Sequence, residues 1–196
     1  MKTKNETKGK HMKRFSYASI VAATLLGAGL MSVPVRAQDG TSDCEDRITS
    51  GGWIETDFGT ANFGASGGLH KGEFWGNLNF VDRESGLHVR AKDVVGYCRC
   101  PGRDECRRIT YSPAWVDGEQ VEFVYVEVCD TGEPGVADTF GICIPERSYC
   151  QEGVLGGDDK PSGGNIQLHK QTGNCEVAID VCAGPPLGCE CFEQCD

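Results

Sequence analysis

Short runs in which apolar and polar residues alternate fill most of the chain after residue 37, and glycine, proline and aspartate separate them. In "FWGNLNFVD" (74–82), Phe74, Leu78 and Phe80 fall on one face of an extended chain and the asparagines on the other. In "LHVRAKDV" (87–94) the apolar residues again alternate with a polar set, which consists of His88, Arg90 and Lys92. A period of two residues predicts half-buried strands, and the turn-forming sequence at 82–86 joins these two segments as a hairpin.

The segment "VEFVYVEV" (121–128) is apolar on both faces, which predicts a central strand covered on both sides. The turn signal Asp117-Gly118 precedes it and makes "RRITYSPAWV" (107–116) its predicted hairpin partner. Further strands are predicted at 52–56, 60–66, 138–144, 153–155 and 165–169. Because no segment after residue 37 has a helical period, we predict an all-β fold. Two stacked antiparallel sheets, as in a jelly-roll-like or Ig-like β-sandwich, are favoured, and a closed barrel is the alternative.

The first 37 residues have the features of a signal peptide rather than of a folded segment. Basic residues come first, "ASIVAATLLGAGLM" (18–31) is apolar, and "VRA" ends at Ala37 with the small residue that cleavage needs. The apolar part is shorter than the roughly 20 residues that a membrane span needs. We therefore expect a secreted protein, extracellular or periplasmic, with no membrane attachment after cleavage. The predicted organisation is a signal peptide (1–37), a linker (38–47), a β-sandwich domain (48–170) and a Cys-rich C-terminal tail (171–196).

Acidic residues outnumber basic ones in the predicted mature chain. The whole sequence has a net charge of −10, and removal of residues 1–37 leaves 12 basic and 28 acidic residues, a net charge of −16. Nucleic acids and anionic lipids require a basic surface, so the composition argues against both as partners. The charge suits a soluble chain and is compatible with divalent cations.

All 12 cysteines follow residue 37: Cys44, Cys98, Cys100, Cys106, Cys129, Cys143, Cys150, Cys175, Cys182, Cys189, Cys191 and Cys195. An even number in an exported chain predicts disulfide bonds. Zinc is the alternative, but one residue separates the closest cysteines here, whereas zinc sites usually have two between them. We expect every cysteine to be oxidised, with cross-links holding a tail too short to bury a core. Cys100 is expected to bond Cys106 across the turn between them, and Cys98 is not expected to bond Cys100.

Five blocks of sequence follow one another along the predicted domain: "ITSGGWI" (48–54), "ANFGASGG" (61–68), "GNLNFVDRESGLHV" (76–89), "DTGEPGVADTFGI" (130–142) and "GGNIQLHK" (163–170). Together they resemble the post-COAP domain family, a module of exported bacterial proteins that often lies beside choice-of-anchor segments. The resemblance implies a bacterial, extracellular, β-rich module, and it carries over no activity and no catalytic residues. The cysteines depart from the family's usual pattern, which suggests additional staples on the fold.

The loop within "CDTGEPGVADTFGIC" (129–143) is the candidate metal site. Asp130, Glu133 and Asp138, with backbone carbonyls, offer the oxygen ligands that calcium prefers, although their spacing is not that of an EF-hand. The same residues also suit a turn, because aspartates accept hydrogen bonds from turn amides, Pro134 fixes φ and the glycines allow positive φ. We favour the structural turn; calcium is the one cofactor that the alternative requires.

Six aromatic residues suit either a ligand-binding platform or a sandwich core: Trp53, Trp75, Trp115, Tyr97, Tyr111 and Tyr125. Tyr125, within the predicted central strand, is expected in the core. Trp75 is the best surface candidate, because it alternates with Phe74 and Leu78, which are predicted to be buried. The histidines after residue 37 lack metal-ligand spacing, and no serine or cysteine motif identifies a nucleophile. No catalytic residue is therefore predicted.

These features predict a secreted, non-enzymatic β-sandwich module that binds an extracellular protein or glycan, or serves envelope architecture. One alternative is a secreted polysaccharide hydrolase with a carboxylate pair about 5–10 Å apart in a cleft. The other is a small disulfide-rich inhibitor-like protein, to which the tail alone points.

Overall fold

The computed structural model describes residues 43–133, 135, 137–157, 163–175 and 179–182. The strands in these residues are β1 (Glu45–Thr56), β2 (Gly59–His70), β3 (Glu73–Asp82), β4 (Leu87–Ala91), β5 (Val94–Cys100), β6 (Arg103–Tyr111), β7 (Ala114–Val116), β8 (Glu119–Val121), β9 (Val124–Cys129), β10 (Thr139–Ile144), β11 (Tyr149–Val154) and β12 (Gly164–Leu168). A short 3-10 helix (Pro145–Arg147) lies between β10 and β11. No helix in the described part of the chain has the length and hydropathy to cross a membrane.

The strands form two packed antiparallel sheets. One has the order β12-β1-β2-β3-β4-β7-β8, and the other has the order β11-β10-β9-β6-β5. Each sheet keeps two edge strands, so the arrangement is a sandwich and not a closed barrel. The prediction of a disulfide-stapled all-β sandwich is confirmed.

The inner faces of the two sheets meet in a core of aliphatic and phenylalanine side chains. Phe140 of the five-stranded sheet stacks on Phe63 of the seven-stranded sheet with 3.8 Å between ring centroids, and Phe80 lies 6.0 Å from Phe140. The predicted alternation along β3 and β4 is confirmed, because Leu78, Phe80, Val89 and Ala91 are all buried. Phe74 is the exception: its predicted burial is wrong, and it is 42% exposed. It lies one residue pair from the end of the β2–β3 ladder, next to the hairpin turn.

The hairpin around Asp117-Gly118 changes sheets halfway along both arms. Its tip pairs β7 with β8 in the seven-stranded sheet, and its base pairs β6 with β9 in the five-stranded sheet. The crossing lies at Ser112 and Pro113, and proline has no N–H to donate to a ladder. The predicted partnership of 107–116 with 121–128 is therefore right, but the prediction of one continuous strand in each arm is wrong.

Gly67 of β2 allows the two sheets to pack closely. A Cβ atom at this position would lie 2.8 Å from both Cδ1 and Cγ2 of Ile109, which is fully buried on the facing sheet. Real Cβ atoms do not approach carbon atoms this closely, so a larger residue would force Ile109 or the strand to move.

The sandwich extends beyond both predicted boundaries of the domain. Strand β1 begins at Glu45, within the segment predicted as a linker, and the Glu45 and Thr172 backbones exchange hydrogen bonds of 2.9 and 3.0 Å. Cys44 bonds Cys175, and Ile179 is buried against the core. Residues 171–175 and 179–182 therefore belong to the folded domain. The predicted signal peptide (1–37) and the end of the predicted tail (183–196) lie outside the described residues.

Four disulfides are described: Cys44–Cys175, Cys98–Cys182, Cys106–Cys129 and Cys143–Cys150. The predicted Cys100–Cys106 bond is wrong. Strands β6 and β9 pair with Cys106 directly opposite Cys129, at 4.1 Å between Cα atoms, whereas Cys100 lies opposite Arg103. Cys98 bonds Cys182 and not Cys100, as expected. Cys100 is buried and has no cysteine partner within the described residues; Cys189, Cys191 and Cys195 lie outside them.

Candidate functional site

All three tryptophans lie on the outer face of the seven-stranded sheet, which we call the tryptophan face. In β7, Ala114 and Val116 are fully buried, so Trp115 between them points outward, and it is 40% exposed. In β1, Ile54 is fully buried, which turns Trp53 outward as well. The core of the sandwich thus contains no described tryptophan.

Trp75 reaches the same face from β3. Residues two apart in a strand share a face, so Trp75 lies on the same face as Asn77 and Asn79, opposite to the buried Leu78 and Phe80. The Trp75 side chain is half-buried, and its indole N–H is buried without a hydrogen-bond partner among the described residues. The face predicted for Trp75 is therefore correct, although Trp115 is more exposed; ligand binding by Trp75 stays a prediction.

The tyrosines do not join this platform. Tyr97 and Tyr111 are buried in the core, and Tyr111 donates to the backbone carbonyl of Ser66 at 2.7 Å. Burial raises the pKa of the Tyr111 hydroxyl. The predicted core position of Tyr125 is wrong: Val124 and Val126 on either side are fully buried, so Tyr125 lies half-buried on the outer face of the five-stranded sheet, away from the tryptophans.

Two cavities on the tryptophan face share three residues and form one groove across β3, β4 and β7. The first, of about 440 Å³, is lined by His88, Arg90, Ala91, Lys92, Trp115 and Gly118. The second, of about 450 Å³, is lined by Gly76, Asn77, Leu78, Asn79, Arg90, Ala91 and Lys92. Volumes of this size suit one or two rings of a small-molecule ligand.

The register of the sheet sets the side chains of the groove in a row. Arg90 of β4 lies opposite Trp115 of β7 on one side and opposite Asn79 of β3 on the other. Nε of Arg90 donates to Nε2 of His88 at 3.0 Å, and the side-chain amide of Asn79 lies 3.1 Å from the same nitrogen. The Asn79 atom at this distance is Oδ1. These contacts hold Arg90 in place at the centre of the groove.

The candidate calcium loop places its carboxylates against backbone amides. Asp138 is fully buried: its Oδ1 accepts from the Thr131 amide at 3.0 Å, and its Oδ2 accepts from the Ile166 amide at 2.8 Å. Asp130 accepts from the Leu168 amide at 2.7 Å. Ile166 and Leu168 belong to β12, an edge strand of the seven-stranded sheet, so the two aspartates satisfy amides that the sheet leaves unpaired.

These hydrogen bonds do more than hold a local turn, because they join the β9–β10 turn of the five-stranded sheet to β12 of the seven-stranded sheet. Glu133 is exposed, and Pro134 lies outside the described residues. Within the described part of the chain, no group of three or more histidine, cysteine, aspartate or glutamate side chains is placed to hold a metal ion. The cross-sheet role of Asp138 has no signal in the sequence, because its partner Ile166 lies 28 residues away.

A buried ion pair links β1 of one sheet to β6 of the other. The Asp46 carboxylate accepts from Nε of Arg107 at 3.2 Å and from its terminal nitrogen at 2.7 Å, and the Tyr97 hydroxyl donates to it at 2.5 Å. Burial and the adjacent Asp46 charge raise the pKa of Tyr97. Burial lowers the pKa of Arg107, but its bonds to Asp46 outweigh this and leave the pKa raised. Every charged group in this network has a partner, which indicates a structural role.

The outer face of the five-stranded sheet carries a second buried polar cluster. Glu127 accepts from Nη2 of Arg108 at 3.0 Å and also bonds Arg103. The prediction that 121–128 is apolar on both faces is therefore wrong at Glu127, which is buried. Arg103 and Arg108 compensate the cost of burying its charge. Burial, reinforced by Glu127, raises the pKa of the nearby Cys100 thiol to about 12.

The fold and its surfaces define a disulfide-stapled antiparallel β-sandwich with one open, tryptophan-bearing face. No protein-family model, no curated protein and no solved structure gives a significant match to the chain. The resemblance to post-COAP domains therefore stays a prediction. The alternation in the sequence puts His88, Arg90 and Lys92 on a polar face but does not join them to Trp115. The signal that locates Trp115 on the surface is its position between Ala114 and Val116.

Proposed function

We propose that the chain is an exported, non-enzymatic binding module that holds an extracellular glycan on its tryptophan face. One observation carries the proposal: all three tryptophans lie on one face of one sheet, while phenylalanines and aliphatic residues fill the core. Placing the largest apolar side chains outside the core leaves flat apolar surface available to a ligand, and sugar rings present matching apolar faces.

The groove supports binding rather than hydrolysis. The residues that line its two cavities are cationic, amide, aromatic and aliphatic, whereas glycoside hydrolysis uses two carboxyl groups that flank the bond to be cleaved. Each buried carboxylate of the described residues is occupied by hydrogen bonds within the sandwich, namely Asp46, Asp82, Glu127 and Asp138. Export agrees with the predicted signal peptide and with the four disulfides, which persist in oxidising compartments.

Affinity electrophoresis in gels that contain neutral or acidic polysaccharides tests the proposal. We expect at least one polysaccharide to retard the protein and Trp115→Ala to abolish the retardation. Phe58→Ala is the matched control, because Phe58 is also an exposed aromatic residue but lies in the turn between β1 and β2. Retardation that survives Trp115→Ala, or release of reducing sugar ends on incubation with the polysaccharide, would overturn the proposal.

A further inference from the structure

We infer that the groove takes an acidic polysaccharide, a polymer of uronic acids, with Arg90 as the anchor for a sugar carboxylate and Trp115 as the surface on which a sugar ring stacks. This inference rests on the proposed function and specifies its ligand. It draws on the charge of the groove, on the unused donors of Arg90 and on the direction of the groove across the strands.

The groove concentrates positive charge on an acidic protein. The whole chain has a net charge of −10, yet the residues lining the two cavities include the cations Arg90 and Lys92 and no carboxylate. Asp117, in the turn that follows β7, uses its carboxylate to accept from the His88 backbone amide at 2.7 Å. Among the described residues, neither Arg90 nor Lys92 forms a salt bridge, whereas Arg107 and Arg108 each have a carboxylate partner. The groove is therefore complementary to an anion.

Arg90 is oriented for a planar anion. His88 accepts from its Nε, which fixes the guanidinium, and no described residue accepts from its two terminal nitrogens. A guanidinium presents parallel N–H groups that match the two oxygens of a carboxylate, and such paired bonds are stronger than single neutral ones. A uronic acid carries this carboxylate directly on its ring carbon, which places the charge close to the ring that stacks.

The remaining groups of the groove suit the sugar ring itself. Trp115 lies beside Arg90 in the next strand and offers an exposed indole. Asn77 and Asn79 lie on the other side of Arg90 and supply amide groups for ring hydroxyls. The groove crosses β3, β4 and β7, so a linear chain lying in it would contact residues of all three strands.

The density of charge favours a polyuronate over nucleic acid. Duplex DNA carries one negative charge per roughly 1.7 Å of its axis. The two permanent cations of the groove cannot neutralise that density on a protein that is itself acidic. A polyuronate carries a single carboxylate on each sugar, and the neutral part of the ring gives Trp115 a surface to contact.

Fluorescence titration of the tryptophans with polygalacturonate tests the inference, with dextran as the neutral polymer, dextran sulfate as the sulfated one and poly-L-glutamate as the acidic peptide. We expect polygalacturonate alone to bind tightly, and Arg90→Gln to raise its Kd by about tenfold or more, as loss of a charged hydrogen bond predicts. Arg90→Lys keeps the charge but loses the paired donors, so it should weaken binding as well. Arg83→Gln, in the exposed β3–β4 turn, is the charge control and should leave Kd unchanged.

The outcomes separate the ligand class from the proposed function. Failure of polygalacturonate to bind, or an unchanged Kd in Arg90→Gln, overturns the polyuronate. Preference for dextran sulfate or poly-L-glutamate also overturns it, in favour of a sulfated glycan or an acidic protein segment. Binding of dextran that Trp115→Ala abolishes would reject the acidic ligand and leave the glycan-binding face standing. Near-ultraviolet circular dichroism of each variant shows that the fold is intact, and Arg90→Gln changes a solvent-exposed residue.

Discussion

Replacing Asp138 by alanine removes the acceptor that joins the β9–β10 turn to the edge strand β12. Both carboxylate oxygens are used, one by the Thr131 amide at 3.0 Å and the other by the Ile166 amide at 2.8 Å. Ile166 is fully buried, so in the variant its amide cannot form a hydrogen bond to water. Thr131 is exposed, so its amide can. A buried donor left without a partner costs about 1–3 kcal/mol, and we expect Asp138→Ala to lose about 2–3 kcal/mol in total.

Urea unfolding with the disulfides intact, followed by tryptophan fluorescence, measures this loss. We expect the midpoint to fall while the m value stays constant, which is the mark of a change in stability alone. Asp130→Ala is the matched variant: it removes one bond to a half-buried amide, that of Leu168, and should cost about 1 kcal/mol. Hydrogen exchange adds a local readout, because the Ile166 amide should lose protection in Asp138→Ala and keep it in Asp130→Ala.

Calcium separates the structural turn from a metal site. If the Asp138 carboxylate only accepts hydrogen bonds, the melting temperature of the wild type should be the same in calcium as in chelator. The lower melting temperature of Asp138→Ala should likewise be the same in both. A metal that binds only the folded protein raises its stability by RT ln(1 + [L]/Kd). Chelator would then lower the melting temperature of the wild type and leave Asp138→Ala unaffected, and that result would refute the turn interpretation.

Three further predictions concern the core, a buried carboxylate and the cysteines. Gly67→Ala should destabilise the protein by about 1–3 kcal/mol in urea, because its Cβ would overlap Ile109, whereas Gly64→Ala, whose Cβ meets no atom within 4 Å, should not. Burial raises the pKa of Asp82, but hydrogen bonds, chiefly from Tyr149, outweigh this effect, so the pKa of Asp82 is lowered. The ionised carboxylate therefore stabilises the fold above its unfolded pKa, and this stabilisation is lost as the pH falls through its folded pKa. Asp82→Asn should therefore be less stable than wild type near neutral pH and equal to it in strong acid; a constant difference would contradict this. Alkylation of the unfolded, unreduced protein should leave its mass unchanged, with Cys100 bonded to Cys189, Cys191 or Cys195 in a peptide map; a single label on Cys100 would contradict full oxidation.

The features that depend on local alternation were predictable from the sequence. Burial of Val89 and Ala91, and the outward direction of Arg90, follow from a period of two that any strand obeys. The hairpin at Asp117-Gly118 follows from turn chemistry within the same few residues. The surface position of Trp115 belongs to the same group, because small buried residues flank it on both sides.

The features that join distant segments were not predictable. Asp46 and Arg107 pair across 61 residues, and nothing near either of them in the sequence indicates the partner. The partner of Cys106 depends on the register of β6 against β9, in which Cys106 lies opposite Cys129. Cysteine spacing alone favours Cys100 as the partner of Cys106, because only a short turn separates the two. The spacing carries no information about β9, the third strand, which contains the actual partner Cys129.

The two outer faces of the sandwich differ in the described disulfides that they carry. On the five-stranded sheet, the outward residues of β5, β6, β9 and β10 include the disulfide-bonded Cys98, Cys106, Cys129 and Cys143. Glu127 is buried among arginines on that face, so much of it is withdrawn from solvent. On the seven-stranded sheet no described disulfide crosses the tryptophan face, and Trp115 and Arg90 stay exposed. The proposed glycan-binding role requires such an arrangement, because side chains on the tryptophan face that form no cross-link stay available to a ligand.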